Sequence, residues 1–183
     1  NSFGFTKIRH AQDLYFAVTG IGKAIMSNDG LTWSTTANSI NNGIYDIVAL
    51  AANSYIATTT GDYYSSGKSY YSINGTDWFL LSSNTPKIFE LAKPADDLIG
   101  FGWGGSIYTS TAGVTWHERR TSSEGSLSDL AWNGQTYVAV GPYGQLVYSE
   151  NAIDWTNAHV NVTSSNLNSI ASNESVHIII GDS

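Results

Sequence analysis

The sequence of 183 residues contains no cysteine, which excludes disulfide bonds, thiolate catalysis and zinc sites built on cysteine. Charged residues are also scarce: they make up 13% of the chain, about half of their usual share. The 8 basic residues are outnumbered by 15 acidic ones, which gives a net charge of −7. A nucleic-acid partner would require a basic surface, so we expect no nucleic acid among the partners.

No stretch approaches the roughly 20 consecutive apolar residues that cross a bilayer, and we expect no membrane insertion. The N-terminus also lacks the charged and then apolar segments of a signal peptide. Because the chain begins with Asn1 rather than Met, we expect either a removed leader or a piece of a longer protein. Ser, Thr, Asn and Gly supply most of the polarity, and together with 11 Tyr and 6 Trp they favour turns and strands.

A motif of seven residues recurs four times, as SNDGLTW (27–33), SINGTDW (72–78), STAGVTW (110–116) and SENAIDW (149–155). Ser and Trp stand six positions apart in every copy, and successive copies begin 45, 38 and 39 residues apart. Four copies in register indicate a repeat protein. We assign a structural role in these turns to Ser27, Asp29, Gly30, Trp33, Ser72, Asn74, Gly75, Trp78, Ser110, Gly113, Trp116, Ser149, Asn151 and Trp155.

Strand-like segments recur with a similar period, and an aliphatic residue stands seven positions before the start of each. The segments are YFAVTG (15–20), YIATTT (55–60), LIGFGW (98–103), YVAVGP (137–142) and HIIIGD (177–182), and the aliphatic residues are Ile8, Val48, Leu91, Leu130 and Ile170. Four short antiparallel strands in each repeat of about 40 residues are typical of a β-propeller blade, so we predict an all-β propeller. An irregular β-sandwich is the alternative. We place the apolar second strand of each unit near the propeller axis.

The repeats predict a single propeller over residues 1–183, with four complete blades and a half blade. The four repeats span about 2–38, 39–84, 85–121 and 122–161, and the half repeat spans 162–183. A fifth motif would begin near position 189, beyond the last residue. Either the molecule continues, another chain supplies the missing strands, or the half blade closes a small ring. We favour a fragment of, or a subunit within, a larger propeller, in which strand sharing with another chain completes the fifth blade.

The recurring motif resembles the Asp-box, also called the bacterial neuraminidase repeat, in its shortened form Ser-x-Asp-Gly-x-Thr-Trp. Sialidases, sortilin-like receptors, photosystem assembly factors and propeller lectins carry related turns, so the resemblance implies an architecture rather than one activity. This chain departs from the pattern twice: Ala112 replaces the acidic residue in the third copy, and Ala152 replaces the glycine in the fourth. One carboxylate also falls far short of the roughly six to eight oxygen ligands of calcium, so we predict no metal site.

The sequence contains little that indicates catalysis. Sialidases of this resemblance use three convergent arginines, whereas this chain has only Arg9, Arg119 and Arg120, and the adjacent pair points to opposite faces of a strand. Other glycosidases need two carboxyl groups across a bound sugar, and Asp96–Asp97 is the only acidic pair adjacent in sequence. We predict no catalytic residue, no cofactor and no enzyme. A divergent glycoside hydrolase fragment is kept as the last alternative.

Aromatic residues outside the motif are the candidates for ligand binding. Trp103 and Trp132 have no counterpart in the other repeats, and Tyr143 follows a second strand as Trp103 does. Tyr63 and Tyr64 lie in an insertion between the second and third strands of the second unit. An exposed aromatic ring can stack on the apolar face of a sugar while nearby Asn and Asp bind its hydroxyls. Packing between blades, or a solvated hairpin for the two insertion tyrosines, is the alternative role.

The leading hypothesis is a non-catalytic, lectin-like propeller that binds a glycan at a cell or virion surface. The alternative is a structural or assembly protein, such as a phage tail or capsid decoration component, whose partner is a neighbouring protein subunit. A lectin predicts related aromatic and polar pockets in several blades. An assembly protein predicts one large continuous interface and no shared pocket.

Overall fold

The computed structural model describes residues 4–20, 22–36, 40, 42–59, 61, 66–94, 96–120, 125–158 and 164–182. Within these ranges the chain forms short strands joined by turns, with two 3-10 turns at Trp103–Gly105 and Pro142–Gly144. The strands are β1 (Phe5–Ala11), β2 (Leu14–Thr19), β3 (Ala24–Ser27), β4 (Ser34–Thr35), β5 (Ile44–Ala51), β6 (Ser54–Thr59), β7 (Gly67–Ser72), β8 (Phe79–Thr85), β9 (Glu90–Ala92), β10 (Leu98–Phe101), β11 (Ile107–Ser110), β12 (His117–Arg120), β13 (Asp129–Trp132), β14 (Tyr137–Val140), β15 (Leu146–Ser149), β16 (Thr156–Asn157), β17 (Leu167–Ser172) and β18 (His177–Gly181).

The sheets repeat with the predicted period. Strands β1–β4, β5–β8, β9–β12 and β13–β16 form four antiparallel sheets of four strands, and β17 pairs with β18 in a sheet of two strands. The four large sheets are the blades of a β-propeller, called here blades one to four, and the small sheet is the half blade. The predicted all-β propeller with four complete blades and a half blade is confirmed.

The first strand of each blade lies next to the propeller axis. β1 contacts β5, β5 contacts β9, and β13 contacts β17, so first strands meet across blade boundaries. The second strand, which we placed near the axis, lies one strand farther out than the first. The second strands of blades two to four are apolar because they have strands on both edges and blades on both faces, and all residues of β10 and β14 are buried.

An aliphatic residue on each first strand faces the preceding blade. In blade two this residue is Ile47, which pairs with Ala57, whereas Val48 of the same strand pairs with Ile56 and packs at the boundary with blade three. The register shifts because the β5–β6 pairing contains an irregularity after Ala49. The equivalent residues of the other blades are Ile8, Leu91, Leu130 and Ile170, as predicted.

Apolar side chains join neighbouring blades. Phe16 of blade one packs edge-to-face against Tyr55 of blade two, with the ring centroids 5.1 Å apart. Burying a side chain of this size stabilises the fold by roughly 1.5–3 kcal/mol, so these boundaries supply most of the core. The later boundaries pair Ile56 with Leu98, Phe101 with Tyr137, and Val138 with Ile170.

Candidate ligand-binding surface

The strands of each blade alternate in direction, so their connections lie at two opposite ends of the propeller. The first-to-second and third-to-fourth connections share one end, called here the hairpin end, and the second-to-third connections lie at the loop end. Trp132 ends β13 at the hairpin end, whereas Trp103 and Tyr143 follow β10 and β14 at the loop end. The structure thus separates these candidates. Tyr63 and Tyr64 lie outside the described residues.

The four Ser-to-Trp turns share one conformation at the hairpin end. In the first turn the Gly30 N–H donates to Ser27 Oγ at 2.8 Å, and Trp33 Nε1 donates to the Gly30 carbonyl at 3.2 Å. The indole bond recurs in the other three turns at 3.1–3.2 Å. The residue that accepts it has a left-handed backbone, with φ of +74° at Gly30 and +58° at Ala152.

A side-chain oxygen closes three of these turns. Asp29 Oδ1 accepts the N–H groups of Leu31 and Thr32 at 2.8 and 2.7 Å, and Asp29 Oδ2 accepts the Thr32 hydroxyl. Asn74 and Asn151 accept the equivalent N–H pairs, all at 2.9 Å. The Thr32 hydroxyl, followed by the two N–H groups, lowers the pKa of Asp29 well below its usual range. This donor set therefore favours a charged carboxylate.

The tryptophans of the second, third and fourth turns pack towards the preceding blade. Trp78 is 5% exposed, and its ring centroid lies 6.2 Å from that of Phe16 in blade one. Trp116 and Trp155 pack in the same way against the apolar clusters at the next two boundaries. Trp33, in blade one, is half-buried. The rings of Trp78, Trp116 and Trp155 thus have packing contacts that need no ligand.

Three aromatic residues, Tyr45, Phe89 and Trp103, form a continuous patch that we call the loop-end aromatic surface. The rings of Tyr45 and Phe89 meet edge-to-face with centroids 5.2 Å apart, and those of Phe89 and Trp103 do so at 4.9 Å. Trp103 nevertheless stays 69% exposed. Its indole is therefore held in position by a neighbour while most of its surface faces solvent.

Tyr143 lies in the equivalent loop of blade four and has an unusual backbone. Its φ is +58°, and its side chain is 78% exposed. Gly104 takes this place in blade three with φ of +66°, so the counterpart of Trp103 is Pro142 rather than Tyr143. A non-glycine residue in this region costs about 1 kcal/mol, which the tyrosine does not recover through burial.

Trp132 has a packing role and also borders a cavity. Its ring stacks on Tyr137 of the same blade with the centroids 4.0 Å apart, and the side chain is half-buried. The cavity, of about 380 Å³, lies on the axis between the first strands of all four blades. Arg9, Glu90 and Asp129 supply charged groups to its walls.

Four charged residues meet on the axis, and the sequence analysis missed them. This axial ion cluster consists of Lys7 and Arg9 from β1, Asp46 from β5 and Glu90 from β9. Arg9 donates to both carboxylate oxygens of Asp46, at 2.7 and 2.6 Å, and Lys7 Nζ lies 3.2 Å from Asp46 Oδ2. Both cations also pair with Glu90. The cluster thus ties together the first strands of three blades.

An acidic residue on a first strand also binds the backbone of the next blade. Asp46 Oδ2 accepts the N–H of Leu91 at 2.8 Å, and Asp129 Oδ2 accepts the N–H of Ile170 at 3.0 Å. Both lie directly before the aliphatic residue that faces the preceding blade. The sequence signal for these residues is an acid followed by an aliphatic on a first strand: Asp46–Ile47, Glu90–Leu91 and Asp129–Leu130.

The axial ion cluster shifts two pKa values. Burial raises the pKa of Glu90, and the charge of Asp46 adds to this rise, while Lys7 and Arg9 oppose it. Burial alone would lower the pKa of Arg9, but its hydrogen bonds and charge interactions with Asp46 and Glu90 raise it. Arg9 therefore stays charged, and Glu90 binds a proton more readily than an exposed glutamate does.

The three arginines do not converge on one point. Arg9 lies on the axis. Arg119 lies on β12, the outermost strand of blade three, where its Nε donates to Thr109 Oγ1 of β11 at 2.7 Å. Next to it, Arg120 Nη1 donates to the Gly105 carbonyl at 2.9 Å. In the part of the chain that the structure describes, no cluster of three or more His, Asp and Glu side chains could hold a metal ion. None of the helical turns in those ranges is long and apolar enough to span a bilayer.

Comparison with known proteins supports the fold. No family model and no curated protein matches the chain. Among solved structures, YCF48 bound to D1 peptide has a TM-score of 0.60 at 16% identity, covering 98% of this chain and 76% of that chain. An ancestral GH74 enzyme has a TM-score of 0.64 at 15% identity, covering 88% and 25%. Virginiamycin B lyase from Staphylococcus aureus has a TM-score of 0.68 at 8% identity, covering 90% and 58%.

The chain shares its fold with these structures and spans only part of each. The chain covers less than two thirds of the GH74 enzyme and of the lyase, and three quarters of YCF48. At such low identity the shared property is the β-propeller fold. The group includes enzymes as well as a propeller with a bound peptide, so the fold alone does not indicate an activity.

Proposed function

We propose that this chain is a non-catalytic recognition propeller that binds a neutral carbohydrate at the loop-end aromatic surface. The observation that carries the proposal is Trp103, which is positioned by Phe89 and yet 69% exposed. A tryptophan that only filled a gap between blades would be covered by them. Stacking a sugar on the open indole removes apolar surface of both partners from water.

The composition supports a neutral ligand. Only 13% of the residues are charged, and Ser, Thr and Asn supply donors and acceptors that suit hydroxyl groups. The proposal also includes the Asp-box type of repeat, residues 1–183 as one domain, and a location at a cell or virion surface. These three statements rest on the sequence. The hydrogen bonds of the serine, the glycine and the indole in the turns also support the Asp-box type of repeat.

A glycan array followed by fluorescence titration of the best glycan tests the proposal. Replacing Trp103→Ala should weaken binding at least about tenfold, because burying a large apolar side chain is worth roughly 1.5–3 kcal/mol. Trp132→Phe, at the opposite end, is the matched control and should keep the wild-type affinity. An array without any bound glycan, or equal affinity of wild type and Trp103→Ala, would rule out this site.

A second candidate function is assembly with a neighbouring protein subunit. Apolar blade faces are open at both ends of the stack: Ile8 is 63% exposed on blade one, and Ile178 and Ile180 are 63% and 62% exposed on the half blade. Further strands from another chain would cover the half blade. YCF48 bound to D1 peptide is a propeller with a peptide partner, which fits this alternative.

Solution mass separates the two candidates. Assembly predicts a mass well above 19.7 kDa, and Ile178→Asp should return it to that of the monomer, because a charge is costly in an apolar interface. Ser175→Asp adds the same charge beside the patch as a control. A stable monomer at all concentrations would remove strand sharing between copies.

A further inference from the structure

The third turn keeps the conformation of the others but lacks their acceptor side chain. Gly113 has φ of +75°, its N–H donates to Ser110 Oγ at 2.8 Å, and Trp116 Nε1 donates to its carbonyl at 3.2 Å. These values match those of the first turn. At the position of the acidic residue stands Ala112, whose methyl group accepts no hydrogen bond.

Two backbone donors are consequently left without the acceptor that their counterparts have. The N–H groups of Val114 and Thr115 correspond to those of Leu31 and Thr32, which both donate to Asp29. Across the described ranges, neither Val114 N nor Thr115 N has a hydrogen-bond acceptor within the protein. The turn thus presents two N–H groups that already point in the direction of a carboxylate oxygen.

A cavity of about 300 Å³ lies beside these donors. Ala112, Val114 and Thr115 line it, together with the charged or titratable groups Asp97, His117 and Arg119. Because Arg119 Nε donates to the Thr109 hydroxyl, its guanidinium is fixed on this side of β12. One cation and one carboxylate therefore face the cavity, along with the exposed His117.

We propose that this cavity, the third-turn site, binds a carboxylate that comes from outside the turn. One carboxylate oxygen accepts the N–H groups of Val114 and Thr115, as Asp29 Oδ1 does with its own pair, and Arg119 supplies a positive charge nearby. Asn74 and Asn151 show that the same donor pair takes an acceptor in every other turn. The site lies at the hairpin end, so it is independent of the proposed carbohydrate site.

The carboxylate belongs either to an acidic side chain of a partner protein or to a small free molecule. Titration of the full chain followed by ¹H–¹⁵N NMR distinguishes them, with sodium acetate and acetyl-aspartyl methylamide as probes. The amides of Val114 and Thr115 should show saturable shifts with these probes and not with sodium chloride at equal ionic strength. Tighter binding of the aspartyl probe supports a side-chain source, and tighter binding of acetate supports a free carboxylate. Without a saturable shift from either probe, the proposal is overturned.

Variants at the equivalent position provide the matched controls. Ala112→Asp places a carboxylate within the turn and should abolish the response to acetate. Asp29→Ala should create a weaker site at Leu31 and Thr32, because Thr36 stands where blade three has Arg119. Arg119→Gln should weaken binding about tenfold, since a positive charge near the carboxylate is lost, and Asp97→Asn should strengthen it, since a nearby negative charge is removed. An unchanged acetate affinity in Ala112→Asp would overturn the assignment even if shifts occur.

Discussion

Blades one and two are built from the same four strands and the same turn, but they differ in what covers them. Blade two lies between blades one and three, whereas the described residues place no blade on the outer face of blade one. Ile47 in blade two is 0% exposed, while its counterpart Ile8 is 63% exposed. The buried core therefore belongs to the boundaries between blades, as in other repeat proteins. Equivalent substitutions should differ in cost according to the neighbour that they face.

The largest effect is expected at Asp46, on the boundary of blades one and two. Asp46→Ala removes one of the two carboxylates that Lys7 and Arg9 share, together with the acceptor of the Leu91 N–H, and should cost up to about 3–5 kcal/mol of unfolding free energy. Asp129→Ala, at the last boundary, removes bonds from Ser169 and Ile170 but isolates no cation, and should cost about 1–3 kcal/mol. Urea denaturation followed by circular dichroism measures both. Equal losses of unfolding free energy would mean that the ion pairs of Asp46 contribute nothing beyond its hydrogen bonds to the backbone.

The next comparison is between the two isoleucines. Ile47→Ala should destabilise by about 2–5 kcal/mol, because it opens a cavity at a closed boundary. Ile8→Ala should cost under about 1 kcal/mol, since most of this side chain is already in water. The same denaturation measurement applies. A similar cost at both positions would show that something covers Ile8 in solution.

A smaller difference is expected between two glycines of the turns. Both have a left-handed backbone, with φ of +75° at Gly113 and +74° at Gly30. A methyl group on Gly113 would lie 1.9 Å from Ile56 Cδ1 of the preceding blade, whereas on Gly30 the nearest atom is 4.0 Å away. Gly30→Ala should cost about 1 kcal/mol, and Gly113→Ala about 1–3 kcal/mol more. Thermal melts that rank the two variants in the opposite order would contradict this packing.

The smallest effect concerns pH and the first turn. The pKa of Asp29 is lowered in the folded state, so its contribution to stability is complete above the ordinary value of about 3.9 and is lost as pH falls towards the lowered pKa. Asp29→Asn keeps an acceptor, as Asn74 does, but cannot titrate. The Tm difference between wild type and variant should be constant near neutral pH and shrink below about pH 4. A difference that grows in acid would reverse the sign of this interaction.

The repeat and its turns could be predicted from the sequence because their determinants are local. Ser27, Gly30 and Trp33 bind one another within seven residues, and the same spacing recurs through the chain. The order of strands around the axis could not be predicted, because apolar composition marks a strand buried on both faces and not its distance from the axis. Similarly, nothing in the sequence indicated that one extra residue in β5, between Ala49 and Ala51, makes Ile47 rather than Val48 the equivalent of Ile8.

The candidate surfaces depend on contacts between distant parts of the chain. Lys7 and Glu90 meet across 83 positions, and no local pattern connects them. Trp103 and Trp132 look equivalent in sequence, but Phe89 supports the first at an open surface while Tyr137 stacks on the second. Which aromatic residue is available to a ligand is decided by such neighbours, and the sequence alone offers no means to choose between them.

The four indole N–H groups each donate to a carbonyl of their own turn, so the tryptophan brings no polar requirement to the blade on which it packs. The receiving blade needs only an apolar surface, which every blade has. A gene segment encoding one blade can therefore be duplicated or moved without a matching change in its neighbour. The turn that holds each blade together also makes the blades interchangeable parts in evolution.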